Sequence, residues 1–262
     1  MIKKAWLTTS WDDGHPLDFK IADLLWRYGL TGTFYIPQNA PTGAMSAAHI
    51  RDLGSAFEIG SHTINHVFLS AATDVQARRE IFDSRSWIED CIGRACPMFS
   101  PPGGKFTNRD VGLIRQAGYC AFRTVELMSI DTPRDMGRGL FLLPTTIHAF
   151  PQPVRAYVKN AIKRGRLSNL WRYILHGKSL NWPEVATSII RNLAKTGGVF
   201  HLWGHSWELQ EKQQWERLEM VLRMMGELTD IAPCVTNGDL ISSLRGPSAS
   251  DIATLIRRQP AS

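Results

Sequence analysis

Cysteine is scarce in this chain: Cys91, Cys96, Cys120 and Cys234 are the only four in 262 residues, and none forms a Cys-x-x-Cys pair. That excludes a disulfide-stapled scaffold and a thiolate metal knuckle, and leaves reduced, mostly buried thiols as the reading. Long apolar runs are missing too. None approaches the roughly eighteen residues of a membrane span. Lys3 and Lys4 lead directly into a predicted strand, with no apolar signal segment between. The expectation is a cytoplasmic chain. Internal repeats are absent. So are acidic residues from Met136 to Pro183, a stretch that nonetheless carries eight lysines and arginines.

At 44% hydrophobic, the chain has enough apolar material for one sizeable core, read as a single domain over 1–245 with a mobile tail over 246–262. Strand and helix signals alternate along it. The apolar stripe Ile21, Leu24, Leu25, Tyr28 ends at Gly29 and predicts a helix over 16–28. Thr73 opens a capped helix that Gly93 stops, and Thr107 opens another that closes at Gly118. Strand-like runs fall at 5–9, 31–36, 57–60, 98–100, 120–124, 140–143, 199–202 and 233–236. This alternation predicts a parallel α/β sheet, either open or closed into a barrel.

Two features carry chemistry. Ser10-Trp11-Asp12-Asp13-Gly14 sets adjacent carboxylates at the end of the first strand, and like charges that close resist joint ionisation unless their roles are divided. A bound cation divides them, taking one carboxylate as ligand and leaving the other as base. His62-Thr63-Ile64-Asn65-His66 follows another strand-like run, and two imidazoles four residues apart share one face of a helical turn and can grip one divalent ion. One Asp and two His, with positions left open, form a hydrolytic rather than a structural site. Taken alone, Asp-Asp-Gly is an ordinary turn and His-x3-His is often incidental; together, at strand ends, they define a site.

In these motifs the chain resembles the polysaccharide deacetylases (NodB homology, carbohydrate esterase family 4). Asp12-Asp13-Gly14 matches the first motif and His62 to His66 the second. Ser100-Pro101-Pro102-Gly103-Gly104 matches the third without its arginine, and Gly198 to His205 is a looser match to the last. The resemblance implies a distorted (β/α) barrel with an incomplete strand count. It also implies a hydrolase that removes an acetyl group from an N-acetylated sugar by cleaving a C–N amide bond. Asp13, His62 and His66 would hold one divalent metal, for which this ligand set suits zinc. Asp12 would be the base and His205 the leaving-group acid, with His201 as the alternative acid. Trp207 is expected to wall the sugar pocket and Glu208 to orient His205. Pro102 and Gly103 would bring backbone to the substrate, and Arg123 would stand in for the missing arginine, with a structural ion pair as the competing role.

The basic block narrows the partners. Arg138, Arg155, Lys159, Lys163, Arg164, Arg166, Arg172 and Lys178 lie in a predicted helical insertion and its approach, the insertion spanning about 149–182 with aromatics among them. The rest of the chain carries a net charge of about −2 against a total of +6. Such a block suits a solvated face, an anionic membrane at its inner surface, or a lipid-linked, phosphate-bearing glycan. No nucleic-acid motif accompanies it. Two other functions stay open: a metal-assisted hydrolase of small cyclic amides, and a catalytically weak carbohydrate-binding relative.

Overall fold

The strand that ends at Asp12 lies inside the sheet rather than at its edge, and its residues are buried almost throughout. The computed structural model describes residues 4–177 and 181–245. Nine strands form one sheet among them: Ala5–Asp12 (β1), Thr33–Ile36 (β2), Glu58–Ser61 (β3), Met98–Phe99 (β4), Ala121–Arg123 (β5), Arg134–Asp135 (β6), Phe141–Leu143 (β7), Ile147–His148 (β8) and Gly198–Gly204 (β9). The helices are Asp18–Arg27 (α1), Ala47–Ala56 (α2), Asp74–Ile92 (α3), Asn108–Gln116 (α4), Val154–Lys163 (α5), Leu167–His176 (α6), Trp182–Thr196 (α7), Ser206–Glu211 (α8), Trp215–Gly226 (α9) and Asn237–Arg245 (α10).

The sheet order is β6-β7-β5-β4-β3-β2-β1-β9-β8, parallel throughout except for the β6–β7 pair. Its two edges are not joined, so the sheet is a curled half-barrel rather than a closed one. Parallel strands put the C-terminal ends of all but β6 at the same mouth, where loops are free to carry function. One large core cluster joins Leu7 of β1, Ile21 of α1, Ile81 of α3, Ile189 of α7 and Val221 of α9.

Local signals explain most boundaries. The Thr73 hydroxyl accepts from the Gln76 amide at 3.2 Å, and Gly93 ends α3 at φ 67°, a left-handed turn only glycine adopts cheaply. Two expectations need correction. The segment from His62 to His66 is a loop, not a helical turn, and Thr63 and His66 have φ of 67° and 51°. The stretch 233–236 makes a single bridge from Cys234 to Leu7 in place of a strand, because Pro233 has no N–H to extend a ladder. Helix α2, in a segment with no strong apolar period, was not foreseen. The basic insertion forms α5 and α6 and runs on into α7. Lys178 and the tail after Arg245 lie outside the described residues.

Candidate active site at the sheet's C-terminal mouth

β1 delivers Asp12 as its last residue, and Asp13 turns out of the sheet at φ 80°, a strained value for a residue other than glycine. The Asp13 amide, donating to Tyr35 O at 3.1 Å, fixes that turn. The loop after β3 brings in the imidazoles. His62 Nδ1 lies 2.5 Å from the carbonyl of Ser100. That contact makes Nδ1 the protonated nitrogen and leaves Nε2 free to ligate. Buried Glu80 of α3 holds the loop, accepting from the amides of Ile64 and Asn65 at 2.9 Å each and from Asn65 Nδ2 at 2.7 Å.

These restraints converge on one oxygen. Asp13 Oδ1 lies 3.0 Å from His66 Nε2 and 3.6 Å from His62 Nε2. That oxygen is buried and has no hydrogen bond. An orphaned carboxylate oxygen between two imidazole nitrogens, all three within 4.8 Å of one another, fits a divalent ion, and the donor set suits zinc. Burial opposes the Asp13 charge, but the His66 contact and the His205 and His62 rings hold its carboxyl well below the usual range. Burial pushes His62 down to about 4, so this imidazole is a neutral ligand at pH 7.

Asp12 faces the same space from the other side. Arg123, fully buried at the end of β5, donates through Nη2 to Asp12 Oδ2 and to Ser100 Oγ at 2.8 Å. Its guanidinium also lies over the Trp203 ring, 4.8 Å from the centroid. Ser100 occupies the position where the third motif lacks its arginine, and Arg123 reaches that space from the next strand. Asp12 Oδ1 is left without a hydrogen bond.

His205 follows β9 and precedes α8. Its Nε2 is 3.9 Å from Asp13 Oδ2, and its Nδ1 is 2.6 Å from Glu208 Oε2. Burial opposes its charge, yet the Glu208 hydrogen bond with Asp13 and Asp12 nearby pushes it up to about 9. His201 sits elsewhere, inside β9. Its nitrogens lie 2.8 Å from Ser10 Oγ and 3.2 Å from Pro144 O, and burial lowers it to about 3. The Trp207 indole N–H donates to Asp13 Oδ2 at 2.9 Å, so this ring braces the second oxygen of Asp13 beside the mouth. Gly103 lines the adjoining groove, while Pro102 is buried.

Sequence reasoning missed Glu80 and His148. His148, ending β8, lies 3.0 Å through Nε2 from Glu208 Oε2 and stacks on Trp203 with ring centroids 4.1 Å apart. Glu80 was legible only as one of several charges on α3. Its burial shows only in the fold.

An α/β half-barrel with carboxylates and imidazoles gathered at its mouth is a hydrolase architecture. Comparison with known proteins gives the family. Residues 2–122 match the polysaccharide deacetylase family model, and this segment belongs to that family. A peptidoglycan-N-acetylglucosamine deacetylase of Bacillus cereus is 27% identical over 135 residues, covering 49% of this chain and 59% of that protein. The match thus spans less than two thirds of that relative's length. A structure from Mycobacterium smegmatis, assigned to the polysaccharide deacetylases, covers 94% of this chain and 95% of its own at 15% identity, with a TM-score of 0.66. A family 4 acetyl xylan esterase from Clostridium thermocellum, in complex with a cobalt ion, covers 92% and 93% at 16% identity with a TM-score of 0.56. These likenesses show that the fold is the one expected.

Proposed function

We propose that this chain is a metal-dependent deacetylase that hydrolyses the acetamide of an N-acetylated sugar. One observation carries the reading: Asp12, Asp13, His62, His66 and His205, from the ends of three strands, meet within a few ångströms. Asp13, His62 and His66 would hold a divalent ion, zinc by donor type, which when bound polarises the acyl carbonyl and acidifies the attacking water. Asp12 takes the water's proton at Oδ1, while Arg123 holds Oδ2 and keeps the carboxylate aimed. His205, oriented through Nδ1 by Glu208, donates a proton from Nε2 to the departing sugar nitrogen. The amide C–N bond breaks, yielding acetate and a free amine. His201, tied inside the sheet, supports packing.

The substrate reading rests on the groove beside the site, about 390 Å³ in volume and lined by Gly103, His148, Trp203, Lys159 and Lys163 among others. An open groove with two lysines favours a sugar carrying a phosphate or carboxylate, such as a lipid-linked precursor, over a small cyclic amide. Acetate release from an N-acetylated chitooligosaccharide, set against hydrolysis of a cyclic ureide, tests this. Turnover of the ureide alone would overturn it. Metal binding without turnover of either would favour the carbohydrate-binding alternative.

A further inference from the structure

The amphipathic hairpin α5–α6 has exposed apolar side chains that the fold leaves uncovered. Among the described residues twelve large hydrophobic side chains are exposed. Six of them, Val154, Ile162, Leu167, Trp171, Ile174 and Leu175, fall on these two helices. Soluble surfaces scatter such residues singly, so a concentration of this kind calls for an occupant. In α6 they recur at i, i+4, i+7 and i+8, a stripe opposite the buried Asn169 and Tyr173. In α5, Val154, Val158 and Ile162 share a continuous apolar surface edged by Arg155, Lys159 and Lys163. The hairpin is held as a unit by Tyr157 stacked on Tyr173, ring centroids 4.4 Å apart.

The charge around the stripes selects the occupant. Arg155, Lys159 and Lys163 are exposed, and none makes an ion pair among the described residues. Two other arginines of the block are engaged elsewhere. Arg166 pairs with Glu126 at 3.4 Å, and Arg172 donates to the Met128 carbonyl. A second copy on a two-fold axis would set cations against cations with no acid to answer them. Nucleic acid would leave the apolar stripes wet. An anionic bilayer satisfies both features, taking the apolar side chains at its headgroup boundary and the cations at its phosphates.

We propose that the α5–α6 hairpin docks on an anionic phospholipid surface. Lys159 and Lys163 border both the docking face and the groove that leads to His148 and Trp203, so the groove opens beside the lipid. A lipid-linked substrate would enter along α5; that last step rests on the deacetylase reading, whereas the docking does not.

Co-sedimentation of the full chain with phosphatidylglycerol–phosphatidylcholine vesicles, against phosphatidylcholine alone, tests the docking. Binding is expected at low salt to the anionic vesicles only, with release as salt screens the cations. Lys159→Gln with Lys163→Gln should weaken it about thirtyfold, two basic contacts' worth. Trp171→Ser with Ile174→Ser should abolish it while leaving the melting temperature and hydrolysis of a small soluble acetamide unchanged. No binding at low salt, binding indifferent to the Trp171 and Ile174 substitutions, or lipid-free self-association that those substitutions abolish would each overturn the proposal. Vesicle binding by a protein inert on every acetamide would instead overturn the deacetylase reading and leave the docking standing.

Discussion

Arg123 and Asp12, 111 positions apart in sequence, form a buried ion pair that Ser100 completes through its hydroxyl. In the motif that the chain resembles, an arginine stands where Ser100 stands here. Arg123 is proposed to supply that cation from a different strand.

That relocation is testable by exchange. Arg123→Ala leaves the Asp12 carboxylate buried and unpaired, and should cost about 3–5 kcal/mol in urea denaturation together with most turnover. Adding Ser100→Arg to Arg123→Ala should recover part of both. No recovery in a folded double variant would mean that the strand of origin matters as much as the charge.

Metal binding separates from chemistry. His62→Ala with His66→Ala should remove stoichiometric divalent metal, measured by elemental analysis. Asp12→Asn should retain the metal and lower turnover by about 10²–10⁴-fold. Loss of metal from Asp12→Asn would reverse the division of the two carboxylates.

The two late histidines should part company. His205→Ala should lose turnover with fold and metal intact. His201→Ala empties the partner of Ser10 Oγ inside the sheet, and should instead lower stability by about 1–3 kcal/mol. A folded, inactive His201→Ala beside an active His205→Ala would exchange their roles.

A pH signature follows from the His205–Glu208 pair. In the metal-free protein His205 is pushed from 6.5 up to about 9. Its contribution, up to about 3 kcal/mol, is therefore fully present below pH 6.5 and fades as pH rises through 9. Glu208 is lowered from 4.5 to about 2, so its share is present above pH 4.5 and is lost below that. The stability difference between the unaltered protein and Glu208→Gln should peak between pH 4.5 and 6.5 and shrink toward pH 9. A difference flat across that range, in denaturation series at matched ionic strength, would show that the pair is not what sets it.

Motif residues were legible because each is a local pattern at the end of an apolar run. Asp12 and Asp13, and His62 and His66, are near neighbours in sequence, and their strands announce themselves. The helical spacing assumed for the histidines failed because the loop is shaped by Glu80, an anchor sixteen residues from Ile64 whose burial no local pattern reveals. Arg123 was legible as a cation at a strand end, but its partner Asp12 lies at the end of β1, four strands away in the sheet order, which is topology. His148 escaped notice because a two-residue strand such as β8 gives no period to read. The insertion's cations were legible as a block, yet only packing shows that Arg166 and Arg172 face inward while Lys159 and Lys163 do not.

The pairing of β1 with β9 joins Ala5 to Gly198 and Trp11 to Gly204, strands far apart in the order of synthesis. All three proposed metal ligands lie within the first 66 residues, whereas the proposed proton donor is residue 205. At about 5–20 residues per second, a nascent chain has its ligand-bearing strands outside the ribosome for many seconds before the strand that leads to His205 exists. Until β9 arrives, one edge of β1 stays unpaired and open to the wrong partner. The same late pairing that completes the sheet also withholds the proton donor, so an unfinished chain could hold its ion without acting on a sugar.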